Sequence, residues 1–372
     1  MTSATQYRAP VRRRAFSRGF TLVELLVTIT IIAILASVLL GTLFFSAEKA
    51  REARTRSMIS RLDQAITIRW ETYRTRRVPV DVQEVATFYG LTPTNPQHVA
   101  LVRLLALREL MRMELPDRWT DVEDDPGLGS GVPGGLQRPA ISHAYLERYT
   151  NNVNPVTGAV TNPTFPLQSA ECLYLIVTTG GLGDDAVLED HFRHADVGDT
   201  DNDGAPEFLD GWGRPIRFLR WAPGFVSELQ PMMVDDPSTA GVDESLQRDV
   251  MNNHDPLDPL KVDLPEPMLT PLDPPKFSGL RTTDNLFAGF RLFPLIYSAG
   301  PDGVVDIRGD ISDIPADVLR YRNIVPLNDP YHDPDPSDPS LDRYIGSPAD
   351  IDVDGLNHLD NIHNHMLGGS VR

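Results

Sequence analysis

A long apolar segment near the start of the chain limits its possible folds more than any other feature. From Phe20 to Phe45 every residue is apolar, Gly, Ser or Thr, except Glu24. A segment of this length can span a bilayer as a helix. A charged carboxylate inside it costs roughly 2.5–3.5 kcal/mol on insertion scales unless it meets a partner. The sequence therefore predicts a transmembrane helix over residues 20–45 whose one acidic group has a specific counter-ion.

The residues at the head of this segment resemble a processing signal. Residues 1–19 hold five arginines and no acidic residue, and they end at Gly19. Residues 19–24, Gly-Phe-Thr-Leu-Val-Glu, resemble the prepilin cleavage and methylation motif of type IV pilins and of the pseudopilins of type II secretion. The resemblance implies that prepilin peptidase cuts between Gly19 and Phe20 and methylates Phe20. It also implies that Glu24 meets the terminal amine of a neighbouring subunit during filament assembly, which would neutralise the buried carboxylate.

A secretory signal peptide and a plain membrane anchor fit the apolar segment less well. A signal peptide has its cleavage site after the apolar run; Ala47 and Ala50 resemble such a site, but the run is long for a signal peptide. A plain anchor accounts for the length but not for the motif. Five basic residues precede the segment and five lie within about 20 residues after it, so the positive-inside rule does not orient it. The resemblance places the leader, residues 1–19, in the cytoplasm, and implies a single pass through the inner membrane with the C-terminal region outside.

The helix is predicted to continue beyond the membrane. Residues 46–77 contain no Pro or Gly and are rich in strong helix formers, and Pro79 then ends the helix. Apolar residues recur at helical spacing at Met58, Leu62, Ala65, Ile66 and Trp70. The pattern predicts one helix over residues 20–76, whose extracytoplasmic half packs this stripe on the rest of the protein.

The remaining chain divides into two regions. Residues 78–166 are predicted to form an inserted helical and loop region, with helices over 99–113 and 142–149. Residues 167–372 are predicted to form a pseudopilin-like C-terminal α+β region with Asp- and Pro-rich loops. Its predicted elements are a buried helix over 169–179, favoured over a strand, and strands over 217–221 and 292–298.

The Pro- and Asp-rich stretches of the C-terminal region predict little regular structure. Long loops are expected over 223–285, with one helix near 243–251, and no regular structure is expected over 326–350. The predicted fold class is therefore α+β. A long N-terminal helix would pack on a small antiparallel sheet, elaborated by large loop-rich insertions.

Two turns of the C-terminal region resemble segments of the major pseudopilins. Residues 210–216, Asp-Gly-Trp-Gly-Arg-Pro-Ile, resemble a turn that leads into a strand of that family. Residues 298–303, Ser-Ala-Gly-Pro-Asp-Gly, resemble the turn that begins its calcium-binding loop. The resemblance implies that calcium is bound by Ser298 and Asp302 together with a closing acidic residue. Asp306 is close in sequence, whereas Asp360 matches the closing motif better but lies about fifty residues later, a departure from the family.

A second acidic stretch has the spacing of a calcium-binding loop of the EF-hand type. Asp199, Asp201 and Asp203 occupy positions 1, 3 and 5 of such a loop, and Gly204 occupies position 6. Glu207 follows in the same stretch, and Asp210 occupies position 12. However, no helix-forming segment follows position 12, and a proline stands at position 8. The sequence therefore favours a solvated turn here, with calcium binding as the weaker alternative.

Composition excludes several classes of function. The single cysteine, Cys172, rules out an internal disulfide framework. Residues 78–372 hold 20 basic and 47 acidic residues, so this region would repel a phosphate backbone and nucleic acid is not expected as a partner. No nucleophile elbow, phosphate-binding loop or dinucleotide-binding fingerprint occurs in the sequence. We expect no enzyme activity, and no cofactor other than calcium.

Together these features predict a structural pilin-like subunit. Prepilin peptidase would process it, and it would assemble with itself and with other pseudopilins, on the inner-membrane assembly platform, into a type II secretion pseudopilus or a type IV-like pilus. The alternative is a membrane-anchored extracytoplasmic binding protein or enzyme that uses a prepilin-type signal without forming filaments. The two turns favour the major pseudopilin type, whereas the chain is long for a repetitive shaft subunit. Glu24 argues against a tip subunit, which typically lacks this carboxylate.

Overall fold

The computed structural model divides the chain into two compact units. It describes residues 21–129, 131–163, 167–179, 192–222, 225, 227, 229–230, 255–260, 262, 292–307, 345–346 and 360–366. The first unit is Met1–Lys49 and the second is Ala50–Arg372. Helix α1, Leu22–Thr72, supplies residues to both units. The prediction of a helix that continues beyond the apolar segment is confirmed.

In the first unit, α1 is a fully exposed apolar helix. Every side chain from Thr21 to Ala50 is exposed to solvent, and the helix is long and apolar enough to cross a membrane. Its hydroxyl groups turn back onto the helix itself, which satisfies them without water. The donor and acceptor pairs are Thr28 with the carbonyl of Leu25, Thr30 with Leu26, Ser37 with Ile34, and Thr42 with Leu39, at 2.7–2.8 Å.

In the second unit, α1 packs through the apolar stripe that the sequence predicts. Ala65 is partly buried and packs against the core. The buried residues of the helix are Thr55, Met58, Ile59, Leu62, Ile66, Arg69 and Trp70. Their spacing of three and four residues places them on one face, so this stripe holds the helix on the rest of the unit.

Helix α1 ends at Thr72, before the predicted end at residue 76 and well before Pro79. The backbone tightens at Tyr73, whose N–H bonds to the carbonyl of Trp70 at 3.2 Å. The Tyr73 hydroxyl donates to Glu114 at 2.7 Å, and the Arg76 guanidinium reaches both oxygens of the same carboxylate. Helix α1 therefore ends where Tyr73 and Arg76 begin to contact Glu114, seven residues before Pro79.

In the region predicted to be an insertion, residues 78–129 and 131–163 form four helices. They are α2 (Val82–Phe88), α3 (Pro96–Glu114), α4 (Trp119–Glu123) and α5 (Ala140–Thr150). Asp81 caps α2, and Asn95 caps α3 with Pro96 at its first position, so each start follows the usual helix-initiation chemistry. The helices predicted over 99–113 and 142–149 are confirmed as α3 and α5. The short helices α2 and α4 were not predicted.

The described residues of the C-terminal region form one buried helix and two small antiparallel sheets. Helix α6, Gln168–Thr179, confirms the helix predicted over 169–179, and it packs against strands β2 and β3. The strands are β1 (Val197–Gly198), β2 (Glu207–Phe208), β3 (Arg217–Leu219), β4 (Leu295–Ser298) and β5 (Ile362–His363). β1 pairs with β2, and the larger sheet has the order β3–β4–β5. The α+β fold class is confirmed.

The register of the larger sheet brings distant parts of the chain together. Phe218 of β3 lies opposite Ile296 of β4, and Ser298 of β4 lies opposite Ile362 of β5. The predicted strands over 217–221 and 292–298 are thus confirmed in type and are shorter than expected. The helix predicted near 243–251 lies outside the described residues, as does nearly all of the stretch 326–350.

A buried ionic network connects the helical region to the sheet. The Arg220 side chain, which is fully buried, donates to Asp121 and to the carbonyl of Leu115, both at 2.8 Å. The Arg220 backbone N–H donates to Asp117 at 3.0 Å, and the guanidinium lies 4.4 Å from the ring centre of Trp221. Residues from α4, the α3–α4 link and the end of β3 therefore form one rigid junction.

Candidate functional site

The N-terminal motif reaches the described residues at Thr21 and Glu24. One carboxylate oxygen of Glu24, Oε2, accepts hydrogen bonds from the backbone N–H and the hydroxyl of Thr21, each at 2.9 Å. The Thr21 hydroxyl oxygen in turn accepts from the Glu24 N–H at 3.2 Å. This reciprocal arrangement fixes the carboxylate at the start of α1, where the helix dipole favours negative charge. Gly19 and Phe20 lie outside the described residues.

The turn at 210–216 fastens the sheet to α1. Asp210 accepts hydrogen bonds through Oδ1 from the N–H groups of Trp212 and Arg214, at 2.8 and 2.9 Å. The Gly211 N–H donates to the Thr55 hydroxyl of α1 at 2.8 Å. A Cβ atom at Gly211 would collide with the carbonyl of Arg51, so this close approach of turn and helix requires glycine.

The turn at 298–303 contacts the turn at 210–216. The Ser298 hydroxyl donates to Asp210 Oδ2 at 2.7 Å, so two residues assigned by sequence to different calcium sites contact each other. The Arg214 guanidinium donates to the carbonyl of Gly300 at 2.8 Å and occupies the space that a Cβ atom at Gly303 would need. A positive charge therefore already lies against the carbonyl oxygens of this turn.

The acidic residues predicted around this turn are only partly brought together. Asp302 accepts the Val304 N–H at 2.9 Å and lies beside Asp360. Burial, and then the charge of Asp302, raise the pKa of Asp360. Among the described residues, the groups of three carboxylates placed to share one ion do not include Asp306. Of the two candidate closing residues, Asp360 is therefore the one that lies beside Asp302. It is also the one that follows the long insertion.

The acidic stretch predicted to resemble an EF-hand loop brings together carboxylates that differ from the predicted set. Carboxylate oxygens of Asp199, Asp201 and Asp203 lie within 4.8 Å of one another. Asp201 also belongs to a second group, with Glu171 of α6 and Glu207 of β2, whose oxygens likewise lie within 4.8 Å. Asp210 stands apart, because its two oxygens bond within its own turn and to Ser298.

Two members of this cluster are buried carboxylates. Glu171 is 1% exposed, and its Oε2 accepts from the indole N–H of Trp119. Glu207 is fully buried, and its Oε2 accepts from the Thr200 N–H at 3.0 Å. The Oε1 atom of each has no hydrogen-bond partner among the described residues. Burial, and then the charge of Asp203, raise the pKa of Glu171 to about 10. Burial also raises the pKa of Glu207 to about 8, despite the Thr200 hydrogen bond.

The loop that carries the three aspartates is held in a defined shape. Asp199 accepts the N–H groups of Asp203 and Gly204, at 3.1 and 2.9 Å. Gly204 has φ +103°, a conformation that residues with a side chain rarely adopt, and it lies directly against the carbonyl of Val153. The Asn152 side chain donates to the carbonyl of Asp203 at 2.9 Å. The segment after α5 thus braces the loop from outside.

The sequence pattern assigns neither glutamate of this cluster as an ion ligand, although Glu207 lies within the acidic stretch 199–210. Glu207, at position 9 of the loop, lies in a strand that is only two residues long and has no detectable alternation. A signal for Glu171 was available, since it is the one charged residue within the buried, otherwise uncharged helix α6. A charge in such a helix calls for a partner, but the sequence alone does not show which loop supplies it.

Comparison with known proteins bears on the N-terminus. Residues 14–40 match the family model described as "Prokaryotic N-terminal methylation motif". The match includes Gly19, Phe20 and Glu24 and much of the apolar segment. No curated protein and no solved structure matches the chain. The chain therefore carries a prepilin-type signal of the type IV pilin-like kind, followed by an apolar helix compatible with membrane anchoring.

Proposed function

We propose that this protein is a structural pilin-like subunit that assembles into a filament. Prepilin peptidase removes residues 1–19 and methylates Phe20, and the processed subunit is then drawn into the filament through the apolar part of α1. The observation that carries this proposal is the methylation motif at residues 14–40, which overlaps a helix whose apolar residues are exposed over 22–45.

The exposed apolar part of α1 must be shielded from water both before and after the subunit assembles. Leu22 is 80% exposed and Phe44 is 72% exposed, at the two ends of the segment. Burying one such side chain contributes about 1.5–3 kcal/mol, so a row of them strongly favours an apolar environment. Lipid supplies that environment before assembly. A subunit that leaves the bilayer can keep its helix covered only by packing against the same helix of other subunits.

Glu24 then selects the mode of packing. Its Oε2 is held by Thr21, and no hydrogen bond from the described residues reaches Oε1. Among packed apolar helices, a carboxylate is stable when an ammonium group neutralises it. Cleavage after Gly19 creates such a group at Phe20. Pairing between Glu24 of one subunit and the Phe20 amine of the next sets the axial register of the filament.

The finer assignment follows the two turns of the C-terminal region. The turns at 210–216 and 298–303 support a pseudopilus of type II secretion over an adhesive pilus. In this proposal the partners are other pseudopilins and the assembly platform in the inner membrane. Residues 1–19 face the cytoplasm, the apolar helix makes a single pass, and the region after residue 45 is extracytoplasmic and structural rather than enzymatic.

The experiment that tests this function replaces Glu24 by alanine in the native host. Glu24→Ala should still be processed and inserted in the membrane, because the cleavage junction and the apolar helix are intact. The amount recovered in sheared filaments, and secretion or pilus function, should fall at least tenfold. Glu48→Ala, at an exposed position of the same helix outside the apolar segment, is the matched control and should assemble normally. Normal assembly of Glu24→Ala would contradict the proposed role.

A further inference from the structure

We infer that the loop at 199–207 and helix α6 together form a divalent-cation site, and that calcium is the ion it fits. The ligands are Glu171, Asp201 and Glu207, with Asp199 and Asp203 beside them. This inference goes beyond the filament role, which does not require an ion. It also differs from both calcium sites that the sequence predicts, because its central ligands are two buried glutamates that neither of those predictions assigns as ligands.

The first support is the convergence of carboxylates from separate elements. Glu171 comes from α6, Glu207 from β2, and Asp201 from the loop between β1 and β2. One oxygen from each lies within 4.8 Å of the others. Oxygens on opposite sides of a calcium ion are about 5 Å apart, since each lies about 2.3–2.6 Å from the ion. A calcium ion therefore fits among the three groups.

The second support is independent of the clustering and concerns unsatisfied atoms. Oε1 of Glu171 and Oε1 of Glu207 are buried, and neither accepts a hydrogen bond from any residue in the described part of the chain. Both side chains are at least nine-tenths buried. In that part of the chain, neither glutamate forms an ion pair with Lys, Arg or His. Buried carboxylate oxygens normally have a partner, and a bound cation would satisfy both at once.

The chemistry of the donors selects the class of ion. Carboxylates are hard oxygen ligands, which suit calcium, magnesium and manganese rather than zinc or copper. The ligands come from a helix, a strand and a loop, an irregular arrangement that calcium tolerates better than magnesium, which demands near-ideal octahedral geometry. Calcium is therefore the expected ion.

The site has an access route and a structural consequence. A cavity of about 740 Å³ is lined by Glu171, Trp119 and Gly204, among others, so an ion can approach the cluster. Trp119 of α4 donates its indole N–H to Glu171. An ion held by Glu171 and Glu207 thus connects α4, α6 and the β1–β2 hairpin. Calcium should rigidify this part of the protein and raise its thermal stability.

The test measures calcium binding to the full-length protein in detergent, so it depends on neither processing nor assembly. After treatment with a chelator, calcium titration by calorimetry should show one strongly bound ion per chain at this site and a rise in melting temperature. Glu171→Gln and Glu207→Gln keep the side-chain shape and remove the charge; each should weaken calcium binding at least tenfold and abolish the rise. Magnesium should bind at least tenfold more weakly than calcium.

Two further variants control for misfolding of the glutamate variants and for calcium binding at other sites. Asp201→Asn changes an exposed ligand, so it should fold normally and still weaken calcium binding. Asp302→Asn is the matched control in the turn at 298–303 and should leave binding at the cluster unchanged. The inference is overturned if the wild type shows no calcium response. It is also overturned if Asp302→Asn removes the response while the glutamate variants and Asp201→Asn keep it.

Terbium luminescence locates the ion directly. Terbium replaces calcium at oxygen sites and emits when a nearby tryptophan is excited. Because Trp119 contacts Glu171, the bound ion should show sensitised emission that calcium displaces. Trp119→Phe should remove most of that emission. Full emission from Trp119→Phe would place the ion beside another tryptophan and would contradict the assignment.

Discussion

Glu24 and Glu171 are both carboxylates in apolar helical segments, and the chain treats them in opposite ways. Glu24 lies on an exposed face, and Thr21 holds one of its oxygens at the start of α1. Glu171 is inside the second unit, where the Trp119 indole and the neighbouring acidic loop surround it. We therefore propose different roles for the same chemical group: a contact between subunits for Glu24 and an ion ligand inside the protein for Glu171.

His365 is a buried base whose environment excludes its charged form. It is 6% exposed; its Nε2 lies 3.1 Å from the carbonyl of Pro294, which can only accept, and its Nδ1 lies 2.9 Å from the Ser227 hydroxyl. Nε2 is therefore the donor and Nδ1 the acceptor. Burial lowers the pKa of His365 to about 4, against the hydrogen bond to Pro294.

This depressed pKa predicts a loss of stability in mild acid. Below pH 6.5 the unfolded chain binds a proton at His365 and the folded chain does not, so the free energy of unfolding falls until the pH reaches the folded pKa. Between pH 7 and pH 5 the loss due to this residue is about 2 kcal/mol. The His365→Gln variant lacks the titrating group and should not show this loss. In denaturant titrations, the difference in free energy of unfolding between wild type and variant should therefore be about 2 kcal/mol smaller at pH 5 than at pH 7. An unchanged difference would contradict the assignment.

At the scale of elements, the junction at Arg220 decides whether the helical region stays attached to the sheet. The buried guanidinium is the partner of two buried carboxylates, Asp117 and Asp121. Without this charge, Asp117 keeps Arg118 at 3.1 Å and Asp121 keeps Arg112 at 3.8 Å as cationic neighbours. Breaking a buried pair costs about 3–5 kcal/mol, and these neighbours place the expected cost at the lower end of that range. Arg220→Met should lower the free energy of unfolding by this amount in urea or guanidinium titrations.

The control for this prediction is an exposed ion pair. Arg56 on α1 pairs with Glu52 one turn earlier, and the Arg56 side chain is 55% exposed. Exposed pairs of this kind contribute about 0.3–0.5 kcal/mol. Arg56→Met should therefore be nearly neutral. Equal stability of Arg56→Met and Arg220→Met would show that the Arg220 junction is not a structural support.

The elements that could be predicted from sequence are those with a readable period. The stripe of α1 and the run that forms α3 repeat every three to four residues, and the structure confirms both as helices. The segment that forms α6 is apolar almost throughout, so its pattern left helix and strand open, and the structure confirms the favoured helix. Strands β1, β2 and β5 are two residues long, too short for an alternation to be detected. The early end of α1 could not be predicted either, because it coincides with contacts to Glu114, 38 residues beyond Arg76.

At the candidate ion site too, sequence predicts the ligands that are close along the chain but not those brought in by tertiary packing. Spacing along the chain brings Asp199, Asp201 and Asp203 together correctly, since all three lie in one loop. The same spacing also groups Asp210 with them, whereas its hydrogen bonds belong to a turn shared with Ser298. Glu171 enters from a helix that precedes the loop, so its place in the cluster depends on tertiary packing that a local pattern does not contain.

At the scale of the whole molecule, the proposed function depends on what happens at the junction of residues 19 and 20. The methylation motif at 14–40 is the feature that connects the apolar helix with a processing pathway. If the leader stays in place, the α-amino group of Phe20 remains in a peptide bond. Glu24 then has no terminal ammonium to meet, and the proposed assembly contact cannot form.

The most direct test is therefore the intact mass and the N-terminal fragment spectrum of the protein recovered from membranes that contain prepilin peptidase. We expect a chain that begins at N-methylated Phe20, with residues 1–19 absent. A chain that keeps residues 1–19, or one cut near Ala47, would contradict the proposed function. Retention of residues 1–19 would indicate an ordinary membrane-anchored protein, and cleavage near Ala47 would indicate a protein released from the membrane.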